Sequence, residues 1–539
     1  MDTVAPPSPA RYGRPRTIVC TDPATGDRLG EVPIVSAEAL QERVARAREA
    51  QVSWGKTPFE QRRRVLRALL EVIVEQTDEI CDLVVHDAGK THENAILGEI
   101  WPVCEKLRWT IAHGERHLRP EAVSSGLLVH KRATIQFQPL GVIGVISPWN
   151  FPFQNILGPT IPALFAGNAV IVKASEWSSW SAAPIQQLFD RVLLSNGHAK
   201  DLVQVVTGDA ETGAALVSSG VEKIVFTGSM ANGRKVLEHS ARTLTPVILE
   251  LGGKDPMIVC DDADLDVAVH AALAGTFIAS GQMCLAAERI YAFERIHDQF
   301  VELVVAATRR LRQGPPRQHG EIDVGAMTMP GQLDIVQKLV DDAVSKGARV
   351  EVGGHALGHE HGRYYAPTVL TNVNHSMAIM REETFGPVMA IVRVSSEQQA
   401  IELANDTEYG LGSTVFSRDR VRAERIAAQL VTGSTCINDF GLPYMVQALP
   451  FGGVRGSGFG RLNGREGLRA FTNEKAVLSD RFNHGPVTLY PVRRGDYERA
   501  RAVIQLLYGT RLAQRLRGAY EFGRTVMERS VLGRYRRER

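Results

Sequence analysis

The sequence predicts an α/β protein built from two α/β domains, the first of a nucleotide-binding kind. Three observations lead there. At 539 residues the chain is longer than one hydrophobic core can fill, since single cores stop growing near ~250–300 residues. From Gly141 to Pro256, short apolar β-branched runs (Val142–Ile146, Ala169–Val172, Val203–Val206, Lys223–Phe226 and Pro246–Leu249) alternate with helical patterns. That is the rhythm of a parallel sheet with helices on both faces. Residues 257–470 repeat it, with strand candidates at 288–293, 388–393 and 435–438.

Taken in order, residues 1–17 form a Pro-rich, flexible lead. The turn signal Thr21-Asp22-Pro23-Ala24-Thr25-Gly26 opens into a strand candidate at Leu29–Ile34. Helical patterns over 37–53 and 58–85 set apolar residues three and four apart against charged faces, as helices covering a sheet do. Residues 126–138 alternate, with Val129, Lys131, Ala133, Ile135 and Phe137 against Leu128, His130, Arg132, Thr134 and Gln136. They read as a projecting hairpin or as an edge strand. The expected boundaries are 18–122 with 140–252 for the first domain and 253–470 for the second. Residues 123–139 and 471–492 bridge, and 493–539 form a basic tail.

Composition is that of a soluble globular enzyme, with 44% hydrophobic and 23% charged residues. The charge is unevenly spread. Residues 481–539 carry 14 Arg, no Lys and 5 acids, a net +9 against +2 for the whole chain, which leaves −7 for residues 1–480. The tail draws as a helix over 497–532, with Val503, Leu507, Leu512, Leu516 and Tyr520 on one side and arginines on the other. Such a helix can lie on an anionic membrane surface. Packing on the body or on a partner subunit is favoured, because the stripe is short and interrupted by Gly509 and Gly518. No nucleic-acid motif accompanies the arginines. Six cysteines without a C-x-x-C pair argue against a disulfide framework and against a zinc site, so no metal is expected. Without a signal-peptide run or a spanning segment, a cytoplasmic protein is expected.

Three segments carry chemistry. Cys284, in Ser280-Gly281-Gln282-Met283-Cys284-Leu285, follows Glu250 of Leu249-Glu250-Leu251-Gly252-Gly253-Lys254 by 34 residues and Asn150 of Pro148-Trp149-Asn150-Phe151-Pro152 by 134. A thiolate attacks a carbonyl carbon, a carboxylate draws a proton from thiol or water, and a side-chain amide holds the charge that develops on oxygen. With that order and spacing the chain resembles the aldehyde dehydrogenase superfamily over about residues 18–480, nearest a plant and bacterial branch.

The resemblance implies a Rossmann-type nucleotide-binding domain, an α/β catalytic domain presenting Cys284, and a small β hairpin for assembly as a homodimer or homotetramer. It implies catalysis by Cys284, Glu250 and Asn150, with hydrolysis of a Cys284 thioester. Relatives that transfer the acyl group to coenzyme A dispense with a strong base, so Glu250 favours a free acid as product. Acyl transfer to coenzyme A, on a semialdehyde, is the enzymatic alternative; a non-catalytic scaffold is the other. The commoner family pattern also has a Lys and a Glu, proposed as a proton path, where this chain has Pro159 and Asn473.

For the cofactor, Phe226-Thr227-Gly228-Ser229 with Gly233 suits a strand, turn and helix that cradles pyrophosphate, although alone it reads better as a structural turn. Lys173 and Glu176 lie just past a strand, where lone charges are usually solvated. By resemblance they would bond the adenosine ribose, Ser229 the pyrophosphate, Thr227 would lie near the nicotinamide, and Trp149 and Leu251 along the cofactor. In Glu382-Glu383-Thr384-Phe385-Gly386-Pro387, Glu383 would hold the nicotinamide ribose and Phe385 would pack beside the ring. A carboxylate at the ribose favours NAD over NADP, because it repels the extra phosphate, while Lys173 beside it weakens that preference and leaves NADP as the alternative. The pocket is expected to include Phe151, Gln154, Met283, Leu285 and Phe440 of the segment 439–444. With no Arg among them, aliphatic or aromatic aldehydes suit it better than semialdehydes.

Overall fold

The computed structural model describes residues 16–316, 319–357, 362–482 and 490–535. It divides into two compact units, one of residues 1–121 and 135–476, the other of residues 122–134 and 477–539. The lead, Met1 to Pro15, lies outside the described residues.

The larger unit holds two sheets. The first runs Gly458–Phe459, Val247–Leu251, Lys223–Gly228, Val142–Ile146, Ala169–Ala174, Val203–Thr207 from edge to edge. All neighbours are parallel except the short first strand, which lies antiparallel beside Val247–Leu251. Val142, Ile143, Val145, Val170, Ile171 and Val172 are buried in one core with the covering helices, which is why these strands are continuously apolar rather than alternating. From Val142–Ile146 the chain builds outward to Val203–Thr207, then returns to the other side of the first strand with Lys223–Gly228. That reversal opens a crevice at the strands' carboxyl ends, where open α/β sheets bind ligands.

The second sheet runs Arg349–Val352, Thr368–Thr371, Val388–Val394, Ala287–Phe293, Asp255–Val259, Gly412–Phe416, Ser434–Ile437. Its side chains alternate between two cores. Ile258, Tyr291, Ala390 and Val415 face one, while Met257, Val259, Ile290, Met389 and Ile391 face the other.

Three local expectations are corrected. The pattern over 58–85 forms two helices, Phe59–Glu75 and Thr77–Ala88. The helix ends at Gln76 (φ −105°, ψ 26°), and the Thr77 hydroxyl donates back to the Ile73 carbonyl at 3.1 Å, closing the first helix. Residues 126–138 are not an edge strand, and the hairpin is wider than its alternation suggested, Glu121–Val123 and Lys131–Pro139 pairing across residues 124–130. The strand is Lys131–Pro139, central between Thr472–Asp480 and Glu121–Val123, and its partner from the far end of the chain is invisible to local alternation.

In the smaller unit the tail forms two helices, Asp496–Tyr508 and Leu512–Tyr535, that fold against each other. Gly509 ends the first. Gly518 sits where the two cross, and a Cβ there would stand 2.5 Å from the Leu506 nitrogen. Leu512, Leu516 and Tyr520 are exposed. Among the described residues, no helix is long and apolar enough to cross a membrane.

Candidate active site

Cys284 lies between the 3₁₀ turn Ile278–Gly281 and the strand Ala287–Phe293. The chain reaches it through three consecutive left-handed residues, Ala279 (φ 49°), Ser280 (φ 59°) and Gly281 (φ 73°). For the two non-glycines this costs about 1–2 kcal/mol each. Specific bonds offset it. The Ala279 N–H donates to Asn94 Oδ1 (2.7 Å), Ser280 Oγ donates to the Gly325 carbonyl (2.8 Å), and Gln282 Nε2 donates to the Ala279 carbonyl (2.9 Å). Gly281 admits no side chain, since a Cβ would stand 2.2 Å from the Gly386 carbonyl oxygen.

Glu250 is the penultimate residue of Val247–Leu251, paired across the sheet with Thr227. Glu250 is 3% exposed and neighbours the Cys284 thiol, and its Oε1 has no hydrogen-bond partner. Burial pushes Glu250 up to about 7. Burial, and then the Glu250 charge, hold the Cys284 thiol well above the usual thiol range. The resting pair is therefore a thiol beside a carboxyl poised to take its proton near neutral pH.

Asn150 closes the triangle. Its Nδ2 donates to the Gln282 carbonyl at 2.9 Å, and its Oδ1 accepts from Asn155 Nδ2 at 3.2 Å. An amide has two N–H donors, so one ties Asn150 to the Cys284 loop and a second remains. Behind it lies a buried ion pair that sequence reasoning missed. Lys90 Nζ donates to Glu99 Oε1 and to the Asn150 carbonyl, both at 2.7 Å, and Glu99 Oε2 accepts the Gln154 N–H at 2.8 Å. Burial drives Lys90 down and Glu99 up; each is the other's compensation.

On the nucleotide side, Lys173 and Glu176 stand at the carboxyl end of Ala169–Ala174, joined Nζ to Oε2 at 3.0 Å. Ser229 is exposed and caps the helix Met230–Ala241, so the helix's positive end is presented to solvent beside Thr227 and Gly228. Trp149 and Phe385 meet edge to face at 5.3 Å. Glu383 Oε1 accepts the Gly253 N–H at 3.1 Å, and its pKa is pushed up to about 8, chiefly by burial. Gly233 and Leu251 turn inward. The Leu251 side chain fills the space where a Gly233 Cβ would be, so this pair sets how closely helix and strand pack. An exposed helix N-terminus, the carboxylates of Glu176 and Glu383 and an aromatic pair, all polar or stacking groups a dinucleotide needs, fit a nicotinamide dinucleotide.

The model of the aldehyde dehydrogenase family matches residues 11–477. The chain belongs to that family. As a member it is an oxidoreductase that uses NAD(P). An aldehyde dehydrogenase-like protein of Schizosaccharomyces pombe is 39% identical over 504 residues, 92% of this chain and 96% of that one. The 4,4′-diapolycopene aldehyde oxidase of Methylomonas sp is 38% identical, covering 92% of each. The solved structure of Mycobacterium tuberculosis aldehyde dehydrogenase complexed with NAD+ superposes with a TM-score of 0.80 at 31% identity, over 86% of this chain and 94% of that one.

In this dehydrogenase Phe151 is buried, with Lys90 Nζ 3.8 Å from its ring centroid, and Gln154 is buried beside it. Met283 and Leu285 flank Cys284, half-buried, and Leu285 packs over Gly412. Phe440 lies on Gly275 and on a core cluster. Tyr444, from the same 439–444 segment, has Cys284 and Glu250 among the titratable groups around it. Pro159 is buried inside the helix Pro152–Phe165, while Asn473 and Glu474 are exposed on Thr472–Asp480.

Two outcomes follow from this geometry. Gly281→Ala forces the Cys284 loop off the Gly386 carbonyl, and turnover is expected to fall roughly 10²-fold, as for an ångström-scale misplacement, measured as initial rate on folded protein. Glu250 is raised from 4.5 to about 7, so the native state holds a proton that the unfolded chain releases, and stability drops as pH rises through that window. Glu250→Gln is therefore expected to raise Tm at about pH 8 and to leave it unchanged at about pH 4, read by thermal melts.

Proposed function

We propose that this enzyme oxidises an aliphatic or aromatic aldehyde to its carboxylic acid, with NAD+ favoured over NADP+. The observation that carries the reading is the convergence of the Cys284 thiol, the Glu250 carboxyl and the Asn150 amide.

Glu250, ionised above about 7, takes the thiol proton as Cys284 Sγ bonds to the aldehyde carbon. The carbonyl oxygen gains the electron pair, and Asn150 Nδ2–H with the Cys284 backbone N–H stabilises it. When bound, NAD+ would supply the hydride acceptor; as the oxyanion re-forms C=O, loss of the aldehyde hydrogen as hydride leaves the acyl group on Cys284 Sγ as a thioester. Once the thiol proton has passed from Glu250 to solvent, Glu250 draws a proton from water as the water oxygen attacks the thioester carbon; the C–S bond breaks, the Cys284 thiolate takes that proton back from Glu250, and the carboxylic acid leaves. Keeping a buried base at this position supports water over coenzyme A as acyl acceptor.

Glu176 at the end of its strand supports NAD+, since a 2′-phosphate would meet its charge. Phe151, Met283 and the aromatic ring of Tyr444 support an apolar substrate, and the relative named for 4,4′-diapolycopene aldehyde points the same way. Self-association through the three-stranded sheet belongs to the same reading, supported by the exposed Leu127, Leu128 and Val129.

The test is NADH formation from aliphatic, aromatic and semialdehyde substrates, with and without coenzyme A. Turnover without coenzyme A is expected, absent in Cys284→Ala and lowered about 10²–10³-fold in Asn150→Ala. A strict requirement for coenzyme A would overturn the hydrolytic assignment.

A further inference from the structure

Glu288 has no part in the steps above, yet it is 2% exposed and both of its carboxylate oxygens accept from one loop. It is the second residue of the strand Ala287–Phe293, four residues after Cys284. Its Oε2 accepts the Thr384 N–H at 2.8 Å and its Oε1 accepts the Phe385 N–H at 2.9 Å. The same Oε2 is paired with Lys254 Nζ, and Lys254 Nζ also donates to Thr384 Oγ1 at 2.8 Å. Lys254 is 1% exposed and stands four residues after Glu250.

The loop so held is not self-supporting. Phe385 is left-handed (φ 48°), a conformation that a bulky residue keeps only when its surroundings impose it. Two successive N–H groups on one carboxylate impose it here. Thr384 is fixed on its other side by its carbonyl, which accepts Gln332 Nε2 at 2.9 Å. The loop residues on either side of Thr384 are those that face the cofactor crevice: Glu383, bonded to the Gly253 N–H, and Phe385, edge to face with Trp149.

We propose that Glu288 is the positioning residue of the loop Glu383 to Gly386, and that the buried Glu288–Lys254 pair fixes where Glu383 and Phe385 meet the dinucleotide. Glu288 acts through the loop and touches no reacting atom. The proposal rests on the reading above only in taking Glu383 and Phe385 as contacts of the dinucleotide.

The experiment compares full-length wild type, Glu288→Gln and Thr384→Val in two assays: NAD+ affinity by titration calorimetry, and hydrolysis of p-nitrophenyl acetate, which engages Cys284 without a dinucleotide. Glu288→Gln is expected to weaken NAD+ binding about 10- to 100-fold, the equivalent of one or two lost bonds to a charged group. Ester hydrolysis is expected to stay near the wild-type rate. Thr384→Val, which removes only the Lys254 contact and keeps the ion pair, is expected to weaken NAD+ binding to a smaller degree; it reads the same loop if Glu288→Gln does not fold. Unchanged NAD+ affinity in the folded variants overturns the proposal, as does a parallel loss of both activities, which would mark a merely structural role. A wild type that binds NAD+ but oxidises no aldehyde defeats the proposed function and leaves this assignment standing on its own binding data. A wild type that binds no dinucleotide defeats both.

Discussion

The close approach of Gly281 to the carbonyl of Gly386 is the constraint on which the site depends. It ends a run of three left-handed residues, and it seats the segment that carries Cys284 against the loop that carries Glu383 and Phe385. Gln282 then works in both directions, donating to the Ala279 carbonyl and accepting the Thr328 N–H at 2.8 Å through its side chain while its own carbonyl holds Asn150. A side chain carried by a strained segment keeps its place only if every neighbouring bond agrees, and here the neighbours of Cys284 are Asn150 on one side and the loop Glu383 to Gly386 on the other.

Two buried ion pairs serve that geometry, Lys90–Glu99 behind Asn150 and Lys254–Glu288 beneath Thr384. Buried pairs are poor sources of stability, because desolvation consumes most of the attraction. What each supplies is a charged acceptor or donor aimed at backbone groups of an irregular loop, which has no ladder of its own to satisfy them. Glu250 stands apart. It is buried without a cation of its own, so it titrates near neutrality and can exchange protons with a thiol and with water.

Much of this was legible in the sequence. Continuous apolar runs such as Val142–Ile146 and Ala169–Ala174 announce strands buried on both faces, and the spacing of Asn150, Glu250 and Cys284 marks segments that the fold brings into one place. The central place of Lys131–Pro139 was not legible, because its neighbour Thr472–Asp480 comes from the far end of the chain. The split of the tail at Gly509 was signalled by the glycine, but the crossing at Gly518 depends on where the second helix falls. Glu288 carried a signal that went unread. The strand candidate at 288–293 opens with Glu288-Arg289, two charges where a core strand should be apolar, and such a pair is tolerated only when something buried needs it. Lys90 and Glu99 lie on either side of the short helix His92–Ala95, Glu99 within the π-helical turn Ile96–Ile100, and no local pattern marks either of them.

The central claim is that the acyl group passes through Cys284 and is released by Glu250 acting on water. Intact-mass and peptide mapping of Glu250→Gln, acid-quenched after mixing with benzaldehyde and NAD+, tests it most directly. The account predicts a benzoyl adduct on Cys284 that accumulates in this variant and is absent from wild type treated alike. An adduct on another residue, or none while NADH is still formed, would contradict it.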